Sequence, residues 1–305
     1  EKQTYSANGK IYARLWDGIN YGGSASANVT NIDKLAPNTF TPTATSTTKS
    51  ITVTASTTDQ NATSTSGKSN IAGYRFKLDS GNWTEYQTSG TYTWDNLKQT
   101  TNHTITVEAK DNAGNTTTGT VSKGTGTVAT LTTSNTTFSY SPSGWTNGSV
   151  TATVSTTVTG YTLQTSKDGK TWNSTNTQTF TANGTVYARL WDGTNYGGSA
   201  TGNFTNIDKT KPVVTGATAT TNSIKITATD EASGIVGYAV TTSNTAPSAS
   251  SFTSVTSTTS FSTTVTGKTQ GTTYYVWVKD QAGNVSASKS TATGSVTGTI
   301  TFGTT

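Results

Sequence analysis

The sequence predicts an all-β fold: antiparallel β-sandwiches joined in tandem as an extended array. Three observations carry that prediction. Residues 5–37 and 180–212 are one segment written twice, 175 positions apart, with 23 of 33 aligned positions identical. Self-similarity at a fixed spacing marks an array of supersecondary units and not one compact catalytic domain. Threonine fills about a quarter of the chain, and its branched side chain favours strands while tolerating a solvated sheet face. Finally, Val, Ile, Tyr and Trp recur with period two, as in Ile105-Thr-Val-Glu-Ala-Lys-Asp111, the spacing of a half-buried strand.

Three landmarks recur in order and set the elements. A Gly-Tyr pair opens a strand at Gly73-Tyr74, Gly160-Tyr161 and Gly237-Tyr238. A period-two penultimate strand ends in Asp and a Gly-containing turn, at Asp111, Asp192 and Asp280. The linker Asn31-Ile-Asp-Lys-Leu-Ala-Pro37 returns as Asn206-Ile-Asp-Lys-Thr-Lys-Pro212, and its proline, unable to donate to a ladder, marks a domain entrance. Residues 1–36 then hold the last strands of a type A domain. Residues 37–122 form a type B domain, 123–211 a complete type A domain and 212–290 a second type B domain. Residues 291–305 read as the first strand of a following domain. At about 80–90 residues each, with frequent Gly, Asn and Thr turns, the complete domains suit sandwiches adding about 30–40 Å apiece to an array.

The turns Asp111-Asn-Ala-Gly-Asn115 and Asp280-Gln-Ala-Gly-Asn284 resemble those of bacterial immunoglobulin-like and fibronectin-type-III-like repeats. So do Asp230-Glu-Ala-Ser-Gly-Ile235 and the two Asn-Ile-Asp-Lys linkers. The resemblance covers almost the whole chain. It implies stalks, spacers or adhesive modules of large extracellular surface proteins, with neighbouring repeats of the same or an identical chain as partners. A secreted, cell-surface location follows from the same resemblance.

Composition narrows the function further. The net charge is +5, yet only 11% of residues are charged and the basic ones are scattered singly. Nucleic-acid binders cluster theirs on one face, so no nucleic-acid partner is expected. No apolar run reaches membrane-spanning length. With no Cys, neither disulfides nor thiolate sites can form, and the absence of Met points to a processed or internal piece. Catalysis lacks materials: His103 is the sole histidine, in a stretch read as an exposed turn, and only Glu1, Glu85, Glu108 and Glu231 are glutamates. The chain is read as non-enzymatic.

Three constellations remain. In a sandwich entered at one end, the B–C and F–G loops lie at that same end. Asp208, Asp230, Glu231 and Asp280 should gather at one entrance, and Asp33, Asp59 and Asp111 at another. Converging hard oxygen ligands suit Ca²⁺ at alternate domain junctions, as related adhesin repeats would imply; otherwise each Asp caps its own turn. Second, Tyr187, Arg189 and Trp191 should face outward from the penultimate strand, continued by Tyr196 and repeated at Tyr12, Arg14 and Trp16. That stripe reads either as a contact surface for a surface glycan or protein, or as a ladder shielding the sheet. It would also suit a carbohydrate-binding accessory module. Third, the incomplete ends read as cuts in a longer array or, alternatively, as strand-addition joints of an extracellular filament or phage fibre.

Overall fold

In the computed structural model, which describes residues 2–298 and residue 300, the strands number twenty-one and the one helical element is a 3-10 turn at Ala249–Ser251. The chain forms two compact units: residues up to 129 with 160–162 and 190–197, and the remainder.

The first unit begins with an antiparallel hairpin of β1 (Gly9–Trp16) and β2 (Tyr21–Val29), bulged between Arg14 and Trp16. A sandwich follows. One sheet has the order β3 (Thr43–Ser46), β4 (Ile51–Thr54), β6 (Thr91–Trp94). The other runs β5 (Ile71–Leu78), β7 (Asn102–Asp111), β8 (Thr116–Gly124). Period two explains the core: Ile51 and Val53 from one sheet meet Phe76, Ile105, Val107 and Ala109 from the other. The alternate Thr52 and Thr54 face outward and pair by hydroxyl with Thr93 and Thr91 across the strands. Strand β8 runs two residues past the boundary expected at 122 because Asn102 and His103 on β7 remain to be paired.

In the second unit, β9 (Thr136–Ser141), β10 (Val150–Thr156) and β12 (Thr177–Phe180) form one sheet, with β10 central. A second sheet, all but Thr162 and Leu190–Trp191 of which belongs to this unit, has the order β11 (Thr162–Ser166), β13 (Gly184–Trp191), β14 (Ala200–Phe204). The last sandwich packs β15 (Val213–Ala219), β16 (Ser223–Thr229) and β19 (Ser260–Thr266) against a four-stranded sheet. That sheet orders β18 (Thr253–Thr258), β17 (Ile235–Thr241), β20 (Thr273–Asp280) and β21 (Lys289–Ala292). Ile224 and Ile226 join Val276 and Val278 in its core, which gives the three-on-four immunoglobulin-like arrangement.

The expected boundary at 290 is corrected by β21, whose Thr291 and Ala292 pair with Tyr274 and Thr273. Those residues therefore close the preceding sandwich. Residues 293–298 form no strand, and the rest of the expected opening strand, at 299 and 301–305, lies outside the described residues.

The duplicated segment has two different environments. In β13, Val186, Ala188 and Leu190 are fully buried. Their counterparts in β1 are Ile11, Ala13 and Leu15, and Leu15 is 75% exposed. A two-stranded sheet cannot bury a face by itself. The hairpin is instead tied to the following sandwich: Asn8 Oδ1 accepts Ile32 N–H at 2.8 Å, and Gly67 N–H donates to Ile32 O at 2.6 Å.

Candidate functional site

Two acidic clusters form at the entrances of the two type B sandwiches. Carboxylate oxygens of Asp33, Asp59 and Asp111 lie within 4.8 Å of one another, and those of Asp208, Asp230 and Asp280 do the same. In each, the linker supplies one acid, the loop after the second strand another, and the end of the penultimate strand the third. Glu231, expected in the second cluster, is exposed and outside it; the chain turns outward immediately after the buried Asp230.

The two clusters are wired alike. Asp111 Oδ1 accepts Asn115 N–H at 2.8 Å and Oδ2 accepts Asn115 Nδ2 at 2.8 Å. The same amide reaches the linker carbonyls of Asp33 and Leu35, both at 3.3 Å. In the second copy Asn284 bonds both oxygens of Asp280 at 2.7 Å. It also donates to Asp208 O and Thr210 O at 3.0 and 3.2 Å. Gly114 and Gly283 take φ of +99° and +94° in these turns, a region open to glycine at little cost. Serines complete the wiring: Ser66 Oγ donates to Asp33 and Ser233 Oγ to Asp208. The two asparagines and two serines were not singled out from sequence; the fifth position of the repeated Asp-x-Ala-Gly-Asn turn was the available signal.

Electrostatics separates the clusters. The Asp33 carboxyl is held below its ordinary value: burial works against this, but bonds from Ser69, Leu35 and Ser66 outweigh it. Asp280 is pushed up, first by burial and further by the charges of Asp208 and Asp230, against the bonds from Asn284. A divalent cation held by hard oxygens would oppose that repulsion.

A different contact serves the start of the type A sandwich. Its β13–β14 loop carries Asp192, Asn195 and Tyr196. Asp192 Oδ1 accepts the N–H groups of Thr194 and Asn195, fixing the turn. The turn then meets the first type B sandwich: Thr48 Oγ1 donates to Asp192 Oδ2, and Lys49 Nζ to Asp192 O, each at 2.5 Å. Asn195 Nδ2 donates to Thr48 O and Leu97 O at 3.2 and 3.0 Å. Gln99 returns two bonds, from its N–H to Asn195 Oδ1 at 3.1 Å and from Nε2 to Tyr196 O at 2.8 Å. This latch was missed in the sequence because its halves lie nearly a hundred or more residues apart.

The stripe residues alternate with the buried face of β13. Arg189 lies 4.2 Å from the ring centre of Trp172 and donates from Nε to Gln164 at 2.9 Å. Tyr187 and Trp191 are half-buried and Tyr196 is exposed. On the hairpin, Tyr12 and Trp16 are 74% and 64% exposed, and Arg14 lies over Tyr21 at 3.2 Å. The first type B sandwich carries its own unforeseen cluster. Arg75 sits over Trp83 and Tyr86 at 4.7 and 4.9 Å and pairs with Glu108 at 2.8 Å. Burial, then the Tyr86 bond to Glu108, pushes the Tyr86 hydroxyl up to about 12.

His103 corrects its reading as an exposed turn residue. It lies within β7 with its side chain 11% exposed and Nδ1 bonded to Asp79 at 2.8 Å. Among the described residues no helix is long and apolar enough to cross a membrane.

Fold and junctions define an all-β protein of antiparallel β-sandwiches in tandem. No protein-family model matches the chain, and no curated protein matches it. Among solved structures, it is similar to the FN1–FN3 domains of chicken CNTN1. That match has 11% identity over 85% of this chain and 99% of that one, with a TM-score of 0.31. It is also similar to a two-domain fibronectin type-III segment from chicken tenascin. There the identity is 15% over 55% of this chain and 98% of that one, with a TM-score of 0.26.

Proposed function

We propose that this chain is a non-enzymatic repeat segment of an extracellular, adhesin-type surface protein, whose work is to project or join other parts. The supporting observation is the duplicated junction. Linker, F–G turn and Asp triad recur with the same hydrogen bonds at both type B entrances. A protein selected for spacing needs the same joint repeated, whereas an enzyme needs one convergent reactive site. Antibody labelling and protease shaving of intact producing cells test the location. Surface labelling and release of intact repeats support the reading; protection from protease in intact cells overturns it.

Ca²⁺ is the proposed cofactor of the two triads, at alternate junctions, stiffening the linkers that supply Asp33 and Asp208. Three carboxylates provide hard oxygen ligands and a charge that suits a divalent ion. Calorimetric titration of the metal-free chain with CaCl₂ tests it, two sites being expected and no heat of binding refuting it. A second reading concerns the hairpin, where Tyr12, Arg14 and Trp16 remain open to solvent. We assign that stripe as a contact for a surface glycan or protein. Glycan-array binding that Trp16→Ala removes would support the sugar.

A further inference from the structure

One sheet face is built in opposite ways in the two type B sandwiches. The residue three before Asp111 is Glu108, directly opposite Arg75; the residue three before Asp280 is Trp277, directly opposite Ala239. In the second copy this cross-strand pair is apolar and covered. Ala239 and Trp277 are each 6% exposed and pack with Phe252. Lys279 lies 5.4 Å from the Phe252 ring centre and donates from Nζ to Ala249 O. The chain closes that face with its own β17–β18 connection.

The first copy repeats the rim and changes the centre. Tyr86 precedes the residue paired with Tyr74, as Phe252 precedes the residue paired with Tyr238. Lys110 Nζ stands 4.0 Å from the Tyr86 ring centre. At the centre, however, Arg75 donates from Nε to Glu108 Oε1, which also accepts the Tyr86 hydroxyl. Lys77 Nζ lies 5.0 Å from the ring centre of Trp83, the same ring that Arg75 covers. Among the described residues neither lysine is ion-paired, and no acceptor bonds the Nη groups of Arg75. Glu85, exposed on the same connection, pairs with none of the three cations. Three cations therefore share one carboxylate.

Packing alone does not call for charge here. A half-buried ion pair adds little net stability, and an apolar pair in its place is often as good or better. The second copy contains that apolar solution. What the charges supply is an outward set of donors. The open Nη edge of Arg75 is a planar fork that fits a carboxylate, and the Trp83 and Tyr86 rings hold it in place. Alongside, the exposed Thr116, Thr118 and Thr120 on β8 stand in register with Lys110, Glu108 and Thr106. Directly opposed residues share a sheet face, so a row of hydroxyls borders the cations. Such a surface is complementary to a polymer that carries both carboxylates and hydroxyls.

We propose that the outer face of β5, β7 and β8 in the first type B sandwich binds a polysaccharide of uronic acids. A sugar carboxylate takes the Arg75 fork, Lys77 and Lys110 attract the neighbouring carboxylates, and the β8 threonines meet sugar hydroxyls. The face is separate from the hairpin stripe and from the Asp triads, and the inference does not rest on the surface-protein reading.

The test is calorimetric titration of the full chain with polygalacturonate in EDTA, which keeps calcium from bridging the polymer to the Asp triads. Binding that weakens with added salt is expected. Arg75→Lys, which keeps the charge but loses the fork, and Lys110→Ala should each weaken it by at least about tenfold. Lys110→Ala leaves the Arg75–Glu108 pair in place, so its loss of binding is not a loss of fold. Trp16→Ala should bind as wild type does, and fully methyl-esterified pectin, the same backbone without charge, should not bind. Absence of polygalacturonate binding, or wild-type affinity in both Arg75→Lys and Lys110→Ala, overturns the proposal. So does equal binding of the esterified polymer or of polyglutamate, and tighter binding of heparin would put sulfate in place of the carboxylate.

Discussion

The Asn195 side chain donates to the carbonyl of Leu97 at 3.0 Å, bridging 98 residues of sequence. The same amide oxygen receives Gln99 N–H, so one small side chain satisfies groups on two strand-connecting segments. Asn195→Ala would leave those groups unpaired in a buried setting. A loss of about 1–3 kcal/mol is expected, read as a lower melting temperature of the first unit. A melting temperature unchanged from wild type would show that solvent replaces the amide without cost.

The acid behaviour of the latch follows from Asp192. Burial raises its pKa, but the Thr48 hydroxyl and the N–H groups of Asn195 and Thr194 outweigh it and hold it below the ordinary aspartate value of 3.8. A depressed folded value means that this carboxylate stabilises fully above pH 3.8 and loses its contribution as pH falls through the folded value. Asp192→Asn should therefore flatten the acid limb of the melting curve below about pH 4. Equal acid sensitivity in variant and wild type would assign the limb to other carboxylates.

Calcium should raise the thermal stability of both type B sandwiches, and EDTA should reverse the gain. Asp111→Asn should remove one site and Asp280→Asn the other, leaving one site in each calorimetric titration. Glu231→Gln should change neither, because Glu231 lies outside the triad. Loss of both sites from a single substitution would contradict two independent triads.

Trp172→Ala separates shielding from recognition in the type A stripe. Removing the ring beneath Arg189 should cost about 0.5–1 kcal/mol beyond the lost apolar burial. Thermal unfolding reads that cost. If glycan or protein binding also falls, the face is a contact surface; if only stability falls, it is a ladder over the sheet.

Phe76→Ala probes the core directly. The ring is fully buried against Tyr92, with centroids 5.5 Å apart. Truncation should cost about 3–5 kcal/mol, enough to unfold the first type B sandwich at moderate denaturant. A loss below about 1 kcal/mol would mean that the core collapses into the cavity.

The sequence by itself determined the strands and their inward faces. A period of two assigns Val107 and Ile226 to a core wherever the strand is placed, because alternate side chains must face opposite ways. It also determined the duplication, and the linker and turn acids Asp33, Asp111, Asp208 and Asp280 that the sandwich ends hold together. Only tertiary structure decided which of those acids converge: Asp230 turns inward and the adjacent Glu231 outward, a choice set by loop conformation, which no periodicity encodes. Tertiary structure likewise decided that Leu190 is buried while its duplicate Leu15 is open. The two segments have nearly one sequence, but burial requires a partner sheet, and among the described residues β1 has only β2 beside it. The latch of Asn195 with Leu97 and Gln99 belongs to the same class. Its bonds join residues far apart in sequence, and only the folded chain brings a loop amide against those backbone groups.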